Sequence, residues 1–254
     1  MGHPQFLLID RWVMRPVELG YWWIDAMTLD GYETPPPPRK GDKLFRGDLR
    51  DWKNNACLRD GDEYAYREGY RRGAQVLVRA VEETGFDQDF LVYPIVFLYR
   101  HHIELALKRI IRQTPYLIEL PLTKAEKDHL DGHRLDLLWQ DFKPKTSEVT
   151  KAAGWNELPP EDIEGIDDYV RQISEIDPAS YSLRYAHSKK GDPSLPKDLT
   201  HINLRHFGDL MERLANYLNG LEAAMCDLEG LKQDYEADMA SYYEDYNADY
   251  YDGY

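Results

Sequence analysis

Cysteine is nearly missing from this chain: Cys57 and Cys226 are the two in 254 residues, and they lie far apart. Two thiols cannot build a disulfide framework or a four-thiolate zinc site, so a reducing, cytoplasmic setting is expected. No run approaches the roughly 20 apolar residues that span a bilayer, so no membrane partner is expected. Phe6-Leu7-Leu8-Ile9 is too short for a signal-peptide core, and no small-residue cleavage site follows it. There is no Gly-rich phosphate loop, nucleophile elbow or kinase signature. His129 and His133 have the spacing of a zincin pair, but Gly132 interrupts the helix and Leu130 stands where the catalytic glutamate belongs. No metal site and no cofactor are therefore expected.

What is present is an ordinary globular composition, 43% apolar and 30% charged, enough to bury a core. The net charge of −15 is unevenly spread. Residues 227–254 hold nine acids against Lys232, so more than half of the excess lies in the last tenth of the chain. Local potential governs encounter with a charged ligand, so an anion site in the rest of the chain stays open.

Four segments are expected. Residues 1–34 form an aromatic-rich arm with Trp12, Trp22 and Trp23. Residues 35–62 form a linker, because Pro35 to Pro38 favour a stiff polyproline spacer and the following stretch has no period. Residues 63–232 carry helical periodicity. Residues 233–254 hold tyrosines among acids with almost no aliphatic side chain, a composition that predicts a disordered tail.

Within 63–232 the spacing predicts about five helices and no strand, an all-α bundle. Tyr66, Tyr70, Ala74, Leu77, Val78 and Val81 form the first stripe, closed by Gly85. The second runs from about Gln88 to Arg112, with Pro115 closing it. The third starts near Gly132-His133 and stops before Pro144. The fourth follows Pro159-Pro160 and reaches Ile176, and the last covers about His201 to Glu229. The connection 177–200 is long for a structureless loop, which marks it as a functional candidate.

Three segments carry chemistry-bearing residues. On the second helix Arg100, Glu104 and Lys108 stack at four-residue steps with His101 beside them, and His102 sits at the edge of the apolar face. A solvated salt-bridge ladder is the plainer reading. The loop segment holds Arg184, Tyr185, His187, Lys189 and Lys190. If the fold joins these two cationic segments, phosphate is the natural guest, held by an arginine fork, and Tyr185 or Tyr99 can stack a base. His133, at the start of the third helix, is placed to reach the polar side of the second.

These segments, in this order, resemble motifs of the HEPN superfamily of helical bundles: Tyr93-Pro94 through Phe97-Leu98-Tyr99-Arg100-His101, Glu104 and Lys108; then Gly132-His133, Leu135 and Leu138-Trp139; then Arg184-Tyr185. The likeness spans about residues 64–225 and implies RNA or nucleotide binding, with homodimers common. Many such proteins are metal-independent ribonucleases of prokaryotic toxin and phage-defence systems. Residue types, rather than the family motif, supply a candidate catalytic set of His102, Arg100, His101, His133 and Arg184, with histidine as acid/base and arginine on the phosphate. The candidate nucleotide contacts, read from the two charged segments, are Arg184, Tyr185, His187, Glu104 and Lys108. One departure stands out: no histidine here has an arginine five to seven positions before it, the spacing those ribonucleases use. A non-catalytic interaction module, recruiting a protein partner through residues 1–34 or the acidic tail, is the alternative.

Overall fold

The computed structural model describes residues 36–251, with side chains through Glu244. The expected aromatic arm, 1–34, lies outside them. The chain divides into two units, Met1–Arg59 and Asp60–Tyr254. In the first, a 3₁₀ turn at Leu49–Asn54 is capped by Asp48, whose carboxylate accepts from Arg50 N at 2.9 Å. The Asn55 amide closes this loop by bonding both Asp48 N and Asp48 O.

The second unit is all-α. Its described residues form α1 (Glu63–Thr84), α2 (Gln88–Ile118), α3 (Lys124–Asp131), α4 (Leu135–Ala152), α5 (Pro160–Ile176) and α6 (Leu204–Tyr251). Helix α2 is the hub, packed against α1, α4 and α6, while α4 also meets α3 and α5. Its sequence is apolar on most sides, as a central helix must be. Ile95, Ile103, Ala106 and Ile110 are fully buried in one core cluster with Leu138, Phe142, Leu218 and Met225 from the surrounding helices. Gly208 of α6 faces Val78 of α1, whose methyl groups a Cβ there would meet at 3.4 Å.

Helices α1 and α5 match their sequence-based bounds, with Gly85 capping α1 at φ 68°. Two helices pass through the prolines expected to stop them. Helix α2 continues beyond Pro115 to Ile118, and α4 beyond Pro144 to Ala152. Proline removes one N–H from the helical ladder, so the cost depends on what happens to the carbonyl left behind. In α2 that carbonyl belongs to Ile111, and Thr114 Oγ1 donates to it at 2.9 Å. Helix α3 is an addition to the sequence reading, set by a capping box in which Thr123 Oγ1 accepts from Glu126 N and Thr123 N donates to Glu126 Oε2.

Helix α6 runs to Tyr251, so residues 234–251 are helical where composition predicted disorder. The extension grows from an already packed stem and needs no new nucleus, and no proline interrupts it. Contacts to α2 carry it past Gly230: Lys232 Nζ donates to Tyr116 O and pairs with Glu119, each at 2.8 Å, and Tyr116 Oη donates to Glu236 at 2.8 Å. No helix of the described residues is long and apolar enough to cross a membrane.

Replacing Thr114 with Val keeps the shape but strands the Ile111 carbonyl in the core. Urea denaturation should show a loss of about 1–3 kcal/mol, whereas an unchanged midpoint would mean the hydroxyl is idle.

Candidate functional site

The polar ladder of α2 is not solvated. Glu104 has no exposed surface, and Arg100 is 1% exposed. The start of α4 and the loop after α5 close over them. Arg100 spends all three of its donor groups internally: Nη1 on Glu104 Oε2 at 2.9 Å, Nη2 on the His133 carbonyl at 2.6 Å, and Nε on the Asp177 carbonyl at 3.4 Å. Its Nε also faces Asp177 Oδ2 at 3.2 Å. Glu104 Oε1 accepts from Lys108 Nζ at 2.9 Å and bonds His133 Nδ1 at 2.8 Å. Lys108 also donates to Gly132 O at 2.6 Å. The network therefore ties α2 to the turn before α4 and to the end of α5.

Burial alone would raise the Glu104 pKa. His101, 4.0 Å away, with Lys108 and His133, outweighs that and holds the carboxyl far below its ordinary range. His133 is oriented by this carboxylate, and its ring is half-exposed.

The other expected residues go elsewhere. His102 is fully buried on the side facing α1, with Nδ1 at 3.0 Å from Arg67 O and no partner on Nε2. Burial lowers its pKa, so it is a neutral core imidazole rather than a member of the ladder cluster. Arg184 is exposed and donates Nε to Ser180 O at 2.5 Å. Its guanidinium lies over Phe97 and Tyr185, and Phe97 stacks on His101. The loop and α2 thus meet through rings, while their cations do not converge: Arg100 and Lys108 are enclosed, and Arg184, Tyr185 and His187 stand at the surface.

A different concavity has the makings of a ligand site. Between the start of α1, the middle of α2 and α6 lies a pocket of about 920 Å³. Tyr64, Tyr66 and Tyr70 line one side, His101 and Leu105 the floor, and Arg67, Arg109 and Arg112 supply positive charge. The Arg67 side chain is 5% exposed, pairs through Nη1 with Glu222, and its buried Nε faces Glu68 at 3.9 Å. Arg109 and Arg112 are held loosely, at 3.7 Å from Glu222 and 3.6 Å from Glu63. Of the residues expected from sequence, His101 lines this pocket. The arginines were not legible as a set, because Arg67 on α1 meets Arg109 and Arg112 on α2 only through tertiary packing.

No protein-family model, curated protein or solved structure matches this chain.

Glu104→Gln leaves Lys108 buried without its counter-charge and Arg100 with Asp177 alone, and should cost about 3–5 kcal/mol in denaturant unfolding. In the unmodified protein the Glu104 contribution is complete at neutral pH. It falls away as pH drops below the unfolded carboxyl value of 4.5, because the unfolded state then takes up a proton that the folded state refuses. A Gln variant as stable as the parent at neutral pH would contradict the network's role.

Proposed function

We propose that this chain binds RNA or a nucleotide, and that the pocket between α1, α2 and α6 is where the ligand lodges. The observation that carries the reading is one pocket that sets two loosely paired arginines, Arg109 and Arg112, among three tyrosines. Exposed pairs such as Arg112–Glu63 contribute about 0–1 kcal/mol, so they yield readily to a charge-assisted, two-point bond to phosphate. Tyrosine faces can stack a base without reading its identity. The volume suits one nucleotide or a short single-stranded segment.

The same geometry favours binding over cleavage. Arg100 is fully engaged inside the protein, and His102 is neutral and enclosed, so two members of the expected catalytic set cannot touch a phosphodiester without unfolding their surroundings. The lining charges of Asp62, Glu63 and Glu222 balance the three arginines, which makes affinity dependent on displacing those pairs.

Fluorescence anisotropy with a labelled single-stranded RNA at low salt tests this directly. Arg112→Glu and Arg109→Glu should each weaken binding by about tenfold or more, the loss of one charge-assisted contact. The labelled RNA should stay intact on prolonged incubation. Absence of binding, or binding indifferent to both reversals, contradicts the placement; metal-independent cleavage abolished by His133→Ala would instead make the Glu104–His133 pair the active centre.

A further inference from the structure

The loop after α5 builds a second cleft against the start of α2, and it shares no residue with the tyrosine–arginine pocket. Asp177 fixes the first turn of that loop, its Oδ1 accepting from Tyr181 N at 2.6 Å and Ser182 N at 2.9 Å. The chain then doubles back as a small antiparallel hairpin. A bridge between His187 and Pro193 closes it, and Ser194 N donates to Ala186 O at 3.0 Å. Both limbs of the hairpin, with Tyr93 of α2, line a cleft of about 490 Å³ that is open to solvent. Leu183, Pro193 and Leu195 make it largely apolar, and Tyr93 and Tyr185 contribute half-exposed rings.

Among the described residues, Arg184 is the one charged side chain in this lining. It is exposed, and it is held in place without being neutralised. Its Nε donates to Ser180 O at 2.5 Å, and its guanidinium lies over the rings of Phe97 and Tyr185, at 5.6 and 5.7 Å. Ser180 is itself buried in a left-handed conformation, φ 58°, which costs a non-glycine residue energy and is often found beside a binding site. Arg67, Arg100, Arg109 and Arg112 each face a carboxylate. Nη1 and Nη2 of Arg184 meet none among the described residues, and no hydrogen-bond acceptor either. A guanidinium tied at Nε and packed against two rings keeps its outer edge for a two-point contact with an oxyanion.

We propose that this cleft binds a small aromatic carboxylate, with the carboxylate on the outer edge of Arg184 and the ring against Tyr93. A single cation with no acid beside it in the lining calls for a monoanion, whereas a phosphate monoester carries about 1.5–2 negative charges. Apolar walls with one polar anchor are the usual make-up of a small-molecule site, and the volume falls within the range of about 300–1,000 Å³ that such sites have. Tyr93 pairs with no other ring among the described residues, which leaves its ring free for an offset or edge contact. The site is independent of RNA binding at the other pocket.

2-Naphthoate and 2-naphthamide are matched probes, alike in shape and differing in charge. Calorimetric titration of the full-length protein should show the acid binding about tenfold or more tightly than the amide, the discrimination expected of hydrogen bonds to a charged group. Arg184→Gln should remove that preference while circular dichroism shows the helical content unchanged. Tyr93→Ala, which lies outside the loop, should weaken naphthoate by about threefold or more through the lost ring contact. Arg112→Glu, in the other pocket, should leave naphthoate binding as it is in the parent. No naphthoate binding up to its solubility limit, equal affinity for acid and amide, or a preference that survives Arg184→Gln would each overturn the proposal. So would tighter binding of 2-naphthyl phosphate than of naphthoate, or a preference lost in Arg112→Glu. The probe comparison on the parent and Arg112→Glu proteins decides the matter even if a loop variant does not fold.

Discussion

A carboxylate buried on the central helix organises much of this molecule. Glu104 is surrounded by Arg100, Lys108 and His133, and an ion placed at that depth persists only if its charge and its lone pairs are met. The partners do more than neutralise it. Arg100 reaches on to the carbonyls of His133 and Asp177, and Lys108 to the carbonyl of Gly132. Chain ends that would otherwise leave polar backbone unsatisfied, before α4 and after α5, are thus fastened to α2 by the same few side chains.

This fastening divides the surface of α2 into faces with different work to do. One face is closed by the ionic network and by α4. The next carries Phe97 and His101, stacked under Arg184. Beyond it the helix opens into the pocket shared with α1 and α6, where Arg109 and Arg112 remain half-exposed. Arg100 and Lys108 are locked inside the fold, whereas Arg109 and Arg112 are partly exposed and held at 3.6–3.9 Å from Glu222, Glu229 and Glu63. That distinction, more than the number of positive residues, separates scaffold from candidate site here.

Local signals in the sequence were enough for part of this. The apolar stripes of α1 and α5 and the glycine cap at Gly85 are short-range features, and the helices follow them. The contact of His133 with the polar side of α2 was also foreseeable, since His133 immediately precedes a strongly marked helix. Pro115 and Pro144 misled because a proline's penalty is set by its surroundings, and Thr114 removes part of it at the first. The Thr123–Glu126 capping box was present in the sequence and would have revealed α3. Whether the Arg100–Glu104–Lys108 ladder faces water could not be read from an i,i+4 pattern, because its cover comes from residues 132–133 and 177. The pocket arginines were hidden for the same reason: their carboxylate partners, Glu63 and Glu222, lie roughly 50 and over 100 residues away along the chain.

The decisive measurement is a carbon-13 NMR titration of the Glu104 carboxyl in the folded protein. If the carboxylate is enclosed by Arg100, Lys108 and His133, its shift will show no titration step through the ordinary carboxylate range near pH 4, and it will stay ionised until the protein unfolds in acid. A step at that ordinary value, as a solvated side chain gives, would contradict the buried tie on which this description of the molecule rests.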